Sequence, residues 1–199
     1  MMRFYRKNRT FYNICLLFVL SGILFGIFLT AKGGLARTEK VGVFSNYYLH
    51  EYAYLVIDGK TLFWIVAKER SKWFFLLWAL GLTGAGTWIA GIFPVIGGIL
   101  GGIFFAQAFL KQGMVGIGLA LLFQFPHVLV YLPLFFWSLL QVMRKSRQIQ
   151  KQRKAESVWG DHGVYLRRFF TAMAVLLLGI LTESYVNSYL VQMLLRIFY

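Results

Sequence analysis

The chain has 199 residues, 59% hydrophobic and 19% aromatic, with a mean hydropathy of +0.64, well above the roughly 45–50% apolar usage of soluble domains. Its 21 Lys and Arg against 7 Asp and Glu give a formal charge of +14. Nearly all of that charge lies outside the long apolar runs, as a bilayer requires, so it does not point to nucleic acid. The single cysteine, Cys15, excludes a disulfide framework and a cysteine-based metal cluster.

In chain order, a basic start (Arg3, Arg6, Lys7, Arg9) precedes the uncharged run Phe11 to Thr30. At about 1.5 Å per residue this run matches the roughly 30 Å hydrocarbon core. It exceeds the about 7–15-residue apolar region of a signal peptide and further spans follow, so it reads as an uncleaved anchor.

Residues 31 to 72 change character, with seven Lys or Arg mixed with Glu39, Glu51, Asp58 and Glu69, and with Tyr47, Tyr48, Tyr52 and Tyr54 clustered. They read as an interfacial segment. Asp58-Gly59 is a turn signal between a short amphipathic helix, about 43 to 57, and a longer one running from about Thr61 into the membrane.

From Trp73 to Leu110 the chain stays apolar, long enough for two spans divided by a tight hairpin near Gly91 and Pro94. Gly97/Gly101 and Gly98/Gly102 form G-x-x-x-G pairs, as do Gly22 and Gly26 in the first span. This spacing lets helix backbones approach where lipid supplies no hydrophobic drive. Packing within one bundle is the simpler use, and a homo-oligomer face is the alternative.

After Lys111-Gln112-Gly113, the run Met114 to Met143 is too long for one straight span and contains "LLFQFPHVLVYLP". Prolines free backbone carbonyls that lipid cannot satisfy, so this helix is expected to be broken and sheltered by neighbours. Pro126 and Pro133 are seven residues apart, and Gln124, His127 and Tyr131 share a face.

The segment 144 to 168 carries eight Lys or Arg against Glu156 and Asp161 and reads as cytoplasmic. Its "RKSRQIQKQRK" fits contact with anionic membrane lipids. The final apolar run, Phe169 to about Met193, holds Glu183, Ser184 and Asn187.

The expected fold is an all-α integral membrane protein, a single domain over 1–199. Its five-span helical bundle crosses at about 11–30, 72–92, 94–110, 115–143 and 169–192, with the fourth span broken by proline. An inside N-terminus puts the amphipathic aromatic segment 31–71 in the extracytoplasmic space and the basic loop 144–168 inside. On these boundaries His127 lies roughly 18 Å and Glu183 roughly 13 Å from the outer edge, close enough for contact. Intramembrane ionisable residues are functional candidates by default, and a hydrogen-bonded structural glutamate is the plainer reading.

The order of features resembles the stage II sporulation protein M family: the basic start, "ILFGIFL", the aromatic segment, "WALGLTGAG", the glycine-rich span Gly97 to Gly118, "FPHVLVYLP", the basic loop and "ESYV". Where the family usually has amide side chains after the first proline, this chain has His127-Val128. A family proline after the terminal motif is replaced by Asn187-Ser188. The resemblance implies a polytopic protein of the mother-cell septal and engulfing membrane, needed for engulfment. There it would scaffold two peptidoglycan-degrading partners, sporulation proteins D and P, and would not itself be the hydrolase.

The residues themselves agree with a non-enzyme. No G-x-S-x-G, H-E-x-x-H or phosphate-loop pattern occurs. His50, His127 and His162 fall in different compartments, so no shared metal and no cofactor is expected. The surfaces left for recognition are the outer aromatics Tyr47, Tyr48, Tyr52, Tyr54, Phe63 and Trp64. An alternative function is a transporter or permease subunit with a midplane site at the broken fourth helix, Gln124, His127 and Glu183.

Overall fold

A computed structural model describes residues 9–32, 44–152 and 162–198. Arg3, Arg6, Lys7, Glu39, Glu156 and Asp161 lie outside them. The described residues are all helical apart from short turns: α1 (Arg9–Lys32), α2 (Asn46–Tyr54), α3 (Gly59–Gly81), α4 (Gly86–Gln124), α5 (Val128–Gln152), α6 (His162–Leu181), a π-helical turn (Thr182–Asn187) and α7 (Ser188–Phe198). Among the described residues, four helical stretches are long and apolar enough to cross a membrane: Thr10–Lys32, Gly86–Gln124, Val128–Gln150 and Gly163–Ile197.

α1 carries no charge between its ends, and its hydroxyls bond back to their own helix. Ser21 Oγ donates to Phe18 O and Thr30 Oγ1 to Gly26 O, both at 2.9 Å. This is how a polar side chain is satisfied among lipid-facing neighbours. α1 packs along the first arm of α4 through facing glycines. A methyl added at Gly22 would strike the Val95 carbonyl, at Gly26 the Ile99 carbonyl, at Gly98 the Val19 carbonyl and at Gly102 the Ile23 carbonyl. Contacts advance along both helices together, so the two run parallel.

α2 begins at Ser45, whose Oγ accepts from Tyr48 N at 3.2 Å, and α3 begins at Asp58, whose carboxylate accepts from Lys60 N and Thr61 N. Both are N-caps of the preferred residue types.

The hairpin expected near Gly91 and Pro94 is displaced. α3 ends at Gly81, the chain turns through 82–85, and α4 continues unbroken past Pro94, which is buried in its interior. Leu82 N donates to Ala79 O and Thr83 N to Leu80 O, closing the turn. Proline is tolerated inside a packed membrane helix because neighbours shield the freed carbonyl, whereas Thr83-Gly84-Ala85 supplies small residues at a true reversal.

α4 is itself bent at Gly113, with φ 59° and ψ −139°, a left-handed region that favours glycine. The second arm folds back, so that a methyl at Gly116 would collide with the Ala108 carbonyl. It ends at Gln124, and a turn through Phe125–His127 leads into α5.

Two main apolar cores result. One joins α2, α4 and α7 around Phe44, Leu49, Ala108, Leu119, Val191 and Leu195. The other joins α3, α5 and α6 around Phe74, Trp78, Leu134, Tyr165, Leu176 and Ile180.

Candidate functional site

Between the two cores, the turn at Phe125–His127 faces the π-helical turn Thr182–Asn187. Each irregularity leaves backbone groups needing partners, and side chains supply them. Asn187 Nδ2 donates to Phe123 O at 2.9 Å, Thr182 Oγ1 to Gly179 O at 2.8 Å and Ser188 Oγ to Glu183 O at 3.2 Å. The Phe125–Pro126 peptide is cis.

Glu183 sits in the π turn and is held from two sides. Arg70, midway along α3, donates from Nη2 to Oε1 at 2.6 Å and from Nε to Oε2 at 3.1 Å. Tyr131 of α5 donates its hydroxyl to Oε2 at 2.7 Å, and the Arg70 guanidinium lies over the Tyr131 ring, 5.3 Å from its centroid. Two-point recognition of a carboxylate by a planar guanidinium is among the strongest polar contacts a protein makes. Gly179 makes the approach possible, since a methyl there would run into the Tyr131 ring.

His127 does not bond Glu183. It is buried, meets Tyr131 edge-on at 5.6 Å, and its Nδ1 has no partner among the described residues. Ser184 Oγ and Asn187 Oδ1 also lack partners there. Gln124 closes α4, Pro126 occupies the turn, and Pro133 lies within α5 facing outward beside Trp137 and Val175. No group of three metal-ligating side chains occurs among the described residues.

Arg70 is the member of this network that sequence reasoning misses. It lies in a charged stretch that reads as interfacial, and its partner is 113 residues away. The available signal was Glu183 itself, a carboxyl in an apolar run that calls for a cation.

A second feature is the cap formed by α2. Gln192 Nε2 of α7 donates to Tyr52 O at 3.1 Å and Leu55 O at 2.7 Å, and Arg196 Nε donates to Ala53 O at 2.9 Å. These are the carbonyls that a helix C-terminus leaves unsatisfied. From α4, Gln112 Nε2 donates to Phe44 O at 3.0 Å and Asn46 Oδ1 at 2.6 Å.

The outer aromatics divide accordingly. Tyr47, Tyr48, Tyr54 and Trp64 are exposed. Tyr52 packs on Phe123, and Phe63 packs against the α3–α5–α6 core. The glycines divide too. Gly22, Gly26, Gly98 and Gly102 line the α1–α4 contact, while Gly97 and Gly101 have nothing within 4 Å of an added methyl.

No curated protein and no solved structure matches the chain. The family model described as Stage II sporulation protein M matches residues 15–188, a range that takes in α2, the α1–α4 glycine contact and the Arg70–Tyr131–Glu183 network. The chain is a multi-pass membrane protein and belongs to the stage II sporulation protein M family.

Proposed function

We propose that the protein is a non-catalytic membrane scaffold for engulfment during endospore formation. It would hold the peptidoglycan-degrading sporulation proteins D and P at the septal and engulfing membrane of the mother cell. The observation that carries this reading is family membership across residues 15–188.

In this reading the chain crosses five times with its N-terminus inside. α3 counts as a crossing in spite of the central Lys68, Glu69, Arg70 and Lys72, because Glu183 pairs with Arg70 and Glu69 with Lys72. The direction of the helices supports it. Ser146 of α5 bonds Thr87 N and Gly84 O at one end, and α7 bonds the α2 carbonyls at the other. α2 then lies outside, with Tyr47, Tyr48 and Tyr54 offered to partners in the extracytoplasmic space. Exposed aromatics give contact area at little entropic cost.

The decisive experiment deletes the gene in the native host. Cells should stop with flat septa while vegetative growth continues, and both hydrolases should co-purify with the wild-type protein from sporulating cells. Normal engulfment in the deletion strain rejects the reading. Transport through the network is separated by the double variant Arg70→Gln/Glu183→Gln. A scaffold whose fold is intact keeps engulfment, whereas loss of engulfment with normal protein level and normal hydrolase co-purification points to transport.

A further inference from the structure

At the end of the bundle opposite α2, α5 turns Gln141, Arg144, Lys145 and Gln148 to one side, the i, i+3, i+4, i+7 spacing of a single helix face. α6 presents Tyr165 and Arg168 to the same space, and between them lies a cleft of about 380 Å³. That volume falls within the roughly 300–1,000 Å³ of small-molecule sites. The walls are built rather than incidental. Gln141 and Lys145 are each 3% exposed, and Arg168 Nη1 donates to Gln141 Oε1 at 2.8 Å, holding the guanidinium at the cleft.

Four cations, Arg144, Lys145, Arg147 and Arg168, line this cleft, and no carboxylate does among the described residues. The described carboxylates are accounted for elsewhere. Glu183 binds Arg70, Glu69 binds Lys72 and Trp73, Asp58 caps α3, and Glu51 belongs to α2. An anion entering the cleft meets several cations at once, among side chains that leave little room for competing water. Guanidinium forks beside a lysine point charge suit the oxygens of a phosphate.

Tyr165 also lines an apolar groove of about 290 Å³ between α3 and α6, with Phe75, Trp78, Leu82, Leu166 and Phe169. Tyr165 thus borders both a cationic cleft and an apolar trough, the two surroundings that a phospholipid needs: headgroup phosphate in the cleft, acyl chain in the trough. Basic pockets between membrane helices are established places for acidic lipid headgroups. We propose that the cleft formed by Lys145, Arg144, Arg147 and Arg168 is a phosphate-binding site occupied by an anionic phospholipid, with one acyl chain lying along the groove beside Tyr165.

The test uses the full chain purified in detergent and native mass spectrometry with added phosphatidylglycerol, phosphatidylcholine of the same chains, or inorganic phosphate. Phosphatidylglycerol should be retained at least about tenfold over phosphatidylcholine. Lys145→Gln should reduce its retention about tenfold, the worth of a lost hydrogen bond to a charged group, while Lys145→Arg keeps it. Because Lys145 is buried, Arg147→Gln at the exposed rim serves as a second variant and should give a smaller loss with unchanged elution from a sizing column. Leu166→Trp, which fills the groove, separates the sources. It weakens lipid retention if the ligand is a lipid. It leaves Lys145-dependent binding of inorganic phosphate intact if the site serves a soluble phosphate. Equal retention of phosphatidylglycerol by wild type, Lys145→Gln and Arg147→Gln, with no binding of phosphate, overturns the proposal.

Discussion

Arg70 and Glu183 stand 113 residues apart and close on each other through two bonds, 2.6 and 3.1 Å, with the Tyr131 hydroxyl 2.7 Å from one carboxylate oxygen. This network ties α3, α5 and the π turn together where both α4–α5 and α6–α7 are irregular. Breaking one partner leaves a charge facing apolar surroundings, which is worse than removing both. Glu183 is largely buried and Arg70 about half exposed, so Arg70→Gln, which strands the carboxylate, should destabilise the protein by up to about 3 kcal/mol and Glu183→Gln by less. Tyr131→Phe removes one bond to a charged group, about 1.5 kcal/mol. The double variant Arg70→Met/Glu183→Leu should recover most of the loss. Thermal unfolding in detergent reads all four, and singles that match wild type would show that the pair holds nothing together.

The glycine contact predicts a difference in sign between neighbours. Gly98→Ala pushes a methyl into the Val19 carbonyl, and backbone cannot step aside as a side chain can. It should cost about 1–3 kcal/mol as overpacking. Gly101→Ala meets nothing within 4 Å and gains helix propensity, so it should be neutral or stabilising by up to about 1 kcal/mol. A Gly101→Ala protein that instead loses an oligomeric species on a sizing column would show that this face is used between chains.

Much of this arrangement is legible in the residues, and the rest fails for identifiable reasons. The length and apolarity of Phe11 to Thr30 suffice for α1, and Asp58-Gly59 marks the break between α2 and α3, whose expected starts at about 43 and 61 fall a few residues from Asn46 and Gly59. Spacing alone cannot say which of two interleaved glycine pairs packs. Gly98/Gly102 meets α1 and Gly97/Gly101 does not, because the choice depends on how α4 is rotated about its axis. Pro94 misleads as a breaker, since a packed membrane helix absorbs it, while the less conspicuous Thr83-Gly84-Ala85 makes the reversal. Arg70 is hidden because local composition cannot reveal a partner more than a hundred residues away.

α2 has nine residues, too few to be helical alone in water. Its stability must come from packing and from the Gln192 and Arg196 side chains that take up its last carbonyls. Gln192→Leu should therefore speed hydrogen exchange of amides in 49–54 severalfold, with exchange in α1 and the first arm of α4 unchanged. A uniform rise across the chain would instead mean that α7 supports the whole bundle.

Asp58 gives the start of α3 a pH dependence. The Thr61 hydroxyl, then the Lys60 and Thr61 amides, hold its carboxyl below its ordinary value. A depressed folded value means that the contribution is present at neutral pH and is lost as pH falls through it, below about pH 4. Protection of the Lys60 and Thr61 amides, taken relative to their intrinsic exchange rates, should fall with acid in wild type. In Asp58→Asn, which keeps a capping oxygen without the charge, that fall should be absent.

The scaffold reading makes its sharpest demand on α2. Tyr47 is 75% exposed and Tyr54 55% exposed, whereas Tyr52 stacks on Tyr48 and lies against Phe123 in the interior. If partners dock on the exposed rings, Tyr47→Ala and Tyr54→Ala should leave thermal stability within about 0.5 kcal/mol, as surface changes do. Each should nevertheless reduce co-purification of the hydrolases, since truncating an aromatic anchor costs more than about 1 kcal/mol at an interface. Tyr52→Ala should do the reverse first, lowering stability by about 2 kcal/mol through a lost half-buried ring and affecting partners only as the fold weakens. Should Tyr47→Ala and Tyr54→Ala retain the hydrolases in full, docking must use another face, and the exposed rings then serve only to rest α2 on the headgroups.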